Sequence, residues 1–588
     1  MKKIAIIAIL ICLPLTLKAQ FSGNIEGSGL WNFYTGHKED VKLNLKLDTS
    51  VVNMKFNLSG GHNYNPTTES TMTLDAKNKQ SVYSKYEQKS LFKRNWNVNT
   101  GLQCDFKLSE KDVLNIGLQY NYKGNNDHPE TQSARYALLG DSLRGRQGDT
   151  TDVTEHSIKP NITYSHVFPK TVSKVYVGIT GLINMKYEDL NRTTTGEYYR
   201  NQRRYSTASS LNDADTKIEA YYEDKTLGNV NDLEFKGGLD FVWHNDVDIY
   251  GGWNYVNGTW RDSTSLDRSY LYSSFALEPN VKIGYTYKGF SFAVNERVQW
   301  YHHQLIDQLI EKTEEQYAFR TSDWQNILAV GLGYKFNTRH RLDLTYQRTL
   351  ERPSYDKLNP SITLGKSEGE YFIGNPDLKP QTKDEVGLTY GFMAEHFGTD
   401  LTIGYRYTKN KAEKIIDVRE IEGFSTATIF TWINAKKQHT GGTMLDLKVD
   451  YDAVKAKMWV GAYYDTYVNK DNSIDKTDFN FEVGMNLTAA LTKDTKLASE
   501  LVYQSAKAST YNIKGEYIGA NVQFTHTFTI EPYGKHLDLS YLDLYVKVND
   551  LVDKPDYEET WNKDFTYYKV TEKRLNRRSA LIGIIYKF

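Results

Sequence analysis

The stretch that decides the fold is TMLDLKVDY, residues 443–451. Along an extended chain successive side chains point to opposite faces. Leu445, Leu447, Val449 and Tyr451 therefore share one face, and Asp446, Lys448 and Asp450 share the other. Wound as a helix, the same residues would spread charge around every side. A ribbon that is apolar on one face and charged on the other has to meet two different surroundings.

The same alternation runs outward in both directions. RLDLTYQ (341–347) sets Leu342, Leu344 and Tyr346 against Asp343, Thr345 and Gln347. DLTIGYRY (400–407) sets Leu401, Ile403, Tyr405 and Tyr407 against Thr402, Gly404 and Arg406. YLDLYVKVN (541–549) repeats the scheme with Leu542, Leu544, Val546 and Val548 opposite Asp543, Tyr545, Lys547 and Asn549. The chain closes on LIGIIYKF (581–588), with Ile582, Ile584, Tyr586 and Phe588 on one face and Leu581, Gly583, Ile585 and Lys587 on the other.

Soluble sandwiches and propellers alternate too. What separates the two classes is the parity of the connections. Short ones are expected at LSEKD near 109, VFPKTV near 169, WHNDVD near 245, YKGF near 289, FNTRHR near 338, EHFGTD near 397, LTKDTK near 493 and EPYGK near 533. Longer polar stretches lie between them, at 126–152, 188–230, 305–320, 351–380 and 550–577. Short turns on one side and long loops on the other are the pattern of an outer-membrane barrel.

Register adds an energetic argument. A Lys or Arg facing lipid near the midplane costs roughly 2–4 kcal/mol. A one-residue slip of 442–450 would drive Asp446, Lys448 and Asp450 into hydrocarbon, so the charged face belongs to a wet lumen. The expected fold is all-β: a transmembrane antiparallel up-and-down β-barrel of about 22 strands. Its long loops are extracellular, its short turns are periplasmic, and both termini sit on the short-turn side. Strands at 172–187, 231–244, 248–261 and 271–287 are part of that count.

Composition agrees. The 588 residues include 44 Tyr and only 12 Pro, a bias toward pleated strands. The formal charge of -1 offers no basic field for nucleic acid. Cys12 and Cys104 are the only cysteines and build neither a disulfide framework nor a thiolate metal site. Mean hydropathy is -0.60, a polar average that alternating strands produce even in a membrane.

At the N-terminus, Met1-Lys2-Lys3, the apolar IAIIAILICLPL and Leu17-Lys18-Ala19 before Gln20 read as a secretory signal peptide over 1–19. The apolar run is shorter than the ~20 residues of a membrane span. Residues 20–588 are then the barrel. In a closed barrel the last strand pairs with the first, which places Ile582, Ile584, Tyr586 and Phe588 against the bilayer lipids. This ending resembles the C-terminal assembly signal of bacterial outer-membrane proteins and implies the outer-membrane assembly machinery as a partner.

Residues 349–390 read TLERPSYDKLNPSITLGKSEGEYFIGNPDLKPQTKDEVGLTY. The segment resembles a stretch in the barrel of TonB-dependent receptors. Arg352, Pro353, Tyr355, Leu358, Asn359 and Pro360 match its first part, and Gly374, Asn375, Pro376, Leu378 and Pro380 its second. NDLVDKPDY (549–557) and the closing RSALIGIIYKF are similar to that family's final hairpin. The resemblance implies uptake of a nutrient or other small ligand across the outer membrane. One departure stands out: the first expected strand begins within a few residues of Gln20, which leaves no room for the family's plug domain. A lumen occluded by loops such as 188–230, a plug supplied by another chain, a surface lipoprotein partner, or a wide passive pore are the arrangements this leaves. The alternative function is a plugless surface barrel acting as a binding or scaffold partner.

Other motifs do not build chemistry. Gly365-Lys366-Ser367 lacks the earlier glycine and the helix of a phosphate loop. In Tyr301-His302-His303 neighbouring imidazoles on a strand point apart, which is poor chelating geometry. NDADTKIEAYYED (212–224) departs from EF-hand spacing and is expected to be a solvated loop. Neither Gly-x-Ser-x-Gly nor His-Glu-x-x-His occurs. The expectation is therefore a non-enzyme with no catalytic residue, cofactor or metal. Tyr198, Tyr199, Tyr221, Tyr222, Trp561, Tyr567 and Tyr568 are aromatic candidates for stacking on a ligand from the loops.

Overall fold

The computed structural model describes residues 20–587, apart from 33–36, 65–67, 77–81, 138–141, 169–172, 197–202, 226–232, 257–258, 263–266, 310–316, 365–369, 422–423, 470–473, 509–511, 531–539, 550, 553–556, 564–565 and 575–578. The expected leader 1–19 and Phe588 lie outside the described residues.

Twenty-two strands form the wall. The first flank is β1 (Gln20–Asn32), β2 (His37–Asp48), β3 (Val52–Tyr64), β4 (Val82–Lys107), β5 (Asp112–Ala137), β6 (Ser142–Phe168) and β7 (Ser173–Gly196). Next come β8 (Arg203–Asp224), β9 (Leu233–Val256), β10 (Arg268–Tyr287), β11 (Phe290–Asp307), β12 (Tyr317–Lys335) and β13 (His340–Glu351). Then follow β14 (Gln381–Met393), β15 (Phe397–Ile421), β16 (Phe424–Asp450), β17 (Val454–Asn469) and β18 (Ile474–Ala490). The last are β19 (Thr495–Gln504), β20 (Tyr517–Ile530), β21 (Ser540–Asn549) and β22 (Ser579–Lys587).

Each strand pairs antiparallel with the next, and β22 returns to β1 through Gly27 opposite Ile584 and Ile25 opposite Tyr586. The sheet closes, so no backbone edge faces lipid. Gln20 lies opposite Asp48, beside the turn at 49–51, and Lys587 lies opposite Asn24. Both chain ends thus sit on the short-turn rim, as expected. The tightest connection there is Lys288-Gly289, where both residues have positive φ (46° and 87°). Two such residues form the hairpin turn whose twist matches the strands.

Ile582 and Ile584 point outward and are 53% and 49% exposed. Leu401, Ile403 and Tyr405 are exposed on the same outer surface. Asp446 faces the interior with Lys457, at 3.3 Å. The face assignment read from 443–451 therefore holds.

Three expectations are corrected. Residues 188–230 are not one long loop: β7 continues to Gly196, and Arg203–Asp224 is a full barrel strand. NDADTKIEAYYED is the second half of that strand rather than a solvated loop. Its outer face is Ala214, Thr216, Ile218, Ala220 and Tyr222, so small that the alternation carries little hydrophobic contrast. Next, the turn expected at WHNDVD does not exist, and 231–244 and 248–261 are replaced by the single strand β9. There Trp243, Val247 and Ile249 point out while His244, Asp246 and Asp248 point in, and a polar lumen-facing run imitates a turn. Finally, 126–152 is mostly strand, since β5 and β6 run on past the membrane zone.

The wall is uneven in height. β6, at 27 residues, extends about 90 Å at ~3.3 Å per residue, whereas roughly ten residues cross a bilayer. β21 and β22 have 10 and 9 residues. Two parts of the wall, β4–β9 and β15–β16, are the tallest, and the seam is low.

Candidate ligand pathway in the lumen

The inner faces of β8–β10 bring together residues that lie far apart in sequence. Asp213 and Asp215 on β8 meet His244 and Asp246 on β9. The His244 ring sits between two carboxylates, Nδ1 on Asp215 and Nε2 on Asp246 at 2.9 Å, with Asp213 3.7 Å from Nδ1. Asp213, His244 and Asp246 each offer one ligand atom within 4.8 Å of the others. Both ring nitrogens are engaged by carboxylates, while Asp213 Oδ1 is buried without a hydrogen-bond partner. One turn of the sheet higher, Asp248 accepts from Arg268 Nε at 3.0 Å.

The segment after β13 folds onto this wall. Arg352 spans Gln299 and Asp323 with hydrogen bonds of 2.7–2.9 Å and lies 3.7 Å above the Tyr301 ring. A single helical turn, Tyr355–Leu358, follows between Pro353 and Pro360. The Tyr355 hydroxyl donates to Asp248 at 2.9 Å, and Asn359 Nδ2 donates to the Tyr355 oxygen at 2.7 Å. Burial, with the Asp248 carboxylate beside it, pushes the Tyr355 hydroxyl well above the usual phenol range. Leu358 is fully buried against Tyr272, Leu305 and Leu378, a small apolar core inside an otherwise polar lumen.

The second half of the motif locks onto the first. Gly374 N donates to the Asn359 carbonyl at 2.7 Å and Asn375 N to the Lys357 carbonyl at 2.6 Å. A Cβ at Gly374 would run into the Asn359 backbone, so no larger residue fits there. Asn375 Nδ2 donates to the Trp432 carbonyl at 2.9 Å, and Pro376 leads the chain to Leu378. The Pro380 carbonyl, just before β14, accepts from Asn410. The motif residues singled out in the sequence thus converge on one structure, a loop pinned against the inner wall.

Ile582 and Ile584 lie on the outer face of β22, and Tyr586 lies between Leu542 and Ile25 in the seam. His302 and His303 point to opposite faces of β11, as expected: His302 bonds Ser322, and His303 packs on Tyr301 and Phe319. Tyr221 and Tyr222 belong to β8 and not to a loop, with Tyr221 stacked on Tyr176 at 4.6 Å. Tyr198, Tyr199 and Lys366 lie outside the described residues. The His244 cluster was missed from the sequence. The available signal was the alternation in H-N-D-V-D, which places His244, Asp246 and Asp248 on one face.

Residues 329–586 match the outer membrane protein beta-barrel family. The described chain is a closed antiparallel β-barrel of 22 wall strands. Among solved structures, the barrel is similar to the copper transporter OprC, at 10% identity, with 97% of this chain and 83% of that one covered and a TM-score of 0.60. It is similar to the siderophore receptor PirA of Pseudomonas aeruginosa at 12% identity, covering 97% and 80%, with a TM-score of 0.54. The ferripyoverdine receptor of the same organism aligns at 12% identity, covering 97% and 72%, with a TM-score of 0.57. At such identities the likeness is one of fold. No curated protein matches the barrel in sequence.

Proposed function

We propose that the barrel takes up a small polar ligand across the outer membrane, by permeation through a lumen narrowed at its outer part by the pinned 352–380 loop. The supporting observation is the inner wall itself. It carries charged and amide side chains over its whole described circumference while the outer face is apolar. A wall of that kind serves passage of polar solutes and not the packing of a solid core. In this reading residues 1–19 are a cleaved export leader, and the β22 ending engages the assembly machinery. The chemistry is binding and passage without covalent catalysis.

Purified barrel in planar bilayers is expected to give steady ion-conducting steps. Leu358→Asp, which expels the loop from its apolar seat, is expected to raise the conductance. A barrel that never conducts, yet holds a ligand tightly at its surface, would instead be a scaffold or binding partner.

A further inference from the structure

The lumen has two chemically different sides. β8–β10 carry the carboxylates described above. The adjoining sector, β1–β7, is lined by amides: Asn57, Asn97, Asn99, Asn121, Asn125 and Asn161 all fall on its inner face by register. Its charges are of both signs, among them the pairs Lys123 with Glu155 at 3.3 Å and Lys42 with Glu26 at 3.6 Å.

We propose that this amide sector is a subsite for a neutral, polyhydroxylated ligand of the oligosaccharide class, which deepens the uptake reading by naming its substrate. A primary amide presents two donors and an acceptor without charge, the complement of a hydroxyl that both donates and accepts. The amides do not satisfy one another fully. The Oδ1 atoms of Asn125 and Asn161 are buried without a hydrogen-bond partner. A buried acceptor left unpaired is destabilising, and a ligand hydroxyl would meet that need. A cavity of about 430 Å³ opens beside Asn125, lined by Asn63, Asn95, Asn97 and Asn125 together with the charged Asp40, Lys123 and Glu155. It falls within the size range of small-molecule sites. Gly61 opposes Asn97, and the Asp40 and Asn97 side chains reach into the space its missing side chain leaves. In the acidic sector the atoms left without a hydrogen-bond partner, Asp213 Oδ1 and Arg268 Nη1, belong to charged groups and suit an ionic ligand rather than a neutral one.

The test is calorimetric titration of the full barrel, in a detergent without a sugar headgroup, with neutral hexasaccharides of glucose, mannose and galactose. A trimeric galacturonate serves as the acidic comparator. Binding of at least one neutral hexasaccharide is expected, weakened about tenfold or more by Asn97→Leu with Asn125→Leu and also by the isosteric Asn97→Asp with Asn125→Asp. Glu395→Gln, in an exposed turn at the far rim, is expected to leave it unchanged, and the galacturonate is expected to bind more weakly. Absence of binding by every neutral hexasaccharide, or binding indifferent to the amide substitutions, or equal affinity for the galacturonate, overturns the proposal. Equilibrium binding needs no open pore. A barrel that conducts ions but ignores these sugars would lose this inference alone, leaving permeation standing.

Discussion

Tyr355 and Asp248 are 107 residues apart in sequence, yet their hydrogen bond fixes the loop to the wall. A hydrogen bond to a charged partner is worth about 1.5–3 kcal/mol net. Asp248 retains Arg268 after Tyr355→Phe, so the expected loss is at the lower end, about 1.5 kcal/mol. Hydrogen exchange in the peptide 353–364 should then quicken roughly tenfold, while the rest of the barrel is unchanged. The pH dependence has a definite sign. The folded state holds the neutral phenol, so its contribution stands in full below the ordinary tyrosine value of about 10. It is lost only as pH rises through the raised value. Wild-type protection in this peptide should persist at pH 10, and the difference from Tyr355→Phe should shrink only beyond it. Gly374→Ala is expected to loosen the same peptide, because the added methyl meets the Asn359 backbone. The sequence made these residues visible as a motif. Their role was not legible, because their partners Asp248, Gln299 and Trp432 sit on strands that only barrel closure brings near.

At the scale of elements, alternation located most strands, and it failed where the outer face is small or the inner face imitates a turn. β8 was overlooked because Ala214, Thr216 and Ala220 give its lipid side little contrast with Asp213, Asp215 and Lys217. β9 was cut in two because His-Asn-Asp looks like a turn. One omission and one false cut offset each other in the count of 22. The register of β8 is testable directly. In a Cys104→Ser background, Ala220→Cys paired with Leu239→Cys should form a disulfide on oxidation, since the two face each other. Ala220→Cys with Asp240→Cys should not, because those side chains leave opposite faces of the sheet. If 188–230 were a loop, neither pair would be favoured.

For the whole molecule, the closing aromatic strand is the feature the sequence states most clearly. A last strand ending on alternating apolar residues makes sense only if it has a first strand to pair with and lipid to face. The division of the lumen into an amide side and a carboxylate side was not legible, since it depends on which strands become neighbours around the circle. The claim beneath all of this is that the sheet separates oil from water residue by residue. Spin labels placed singly at positions 401–406 on β15, followed by power saturation in lipid vesicles, measure it most directly. Collisions with oxygen should peak at Leu401, Ile403 and Tyr405, and collisions with a water-soluble nickel chelate at Thr402, Gly404 and Arg406. Nickel access to both sets alike, or no two-residue period at all, would contradict the account.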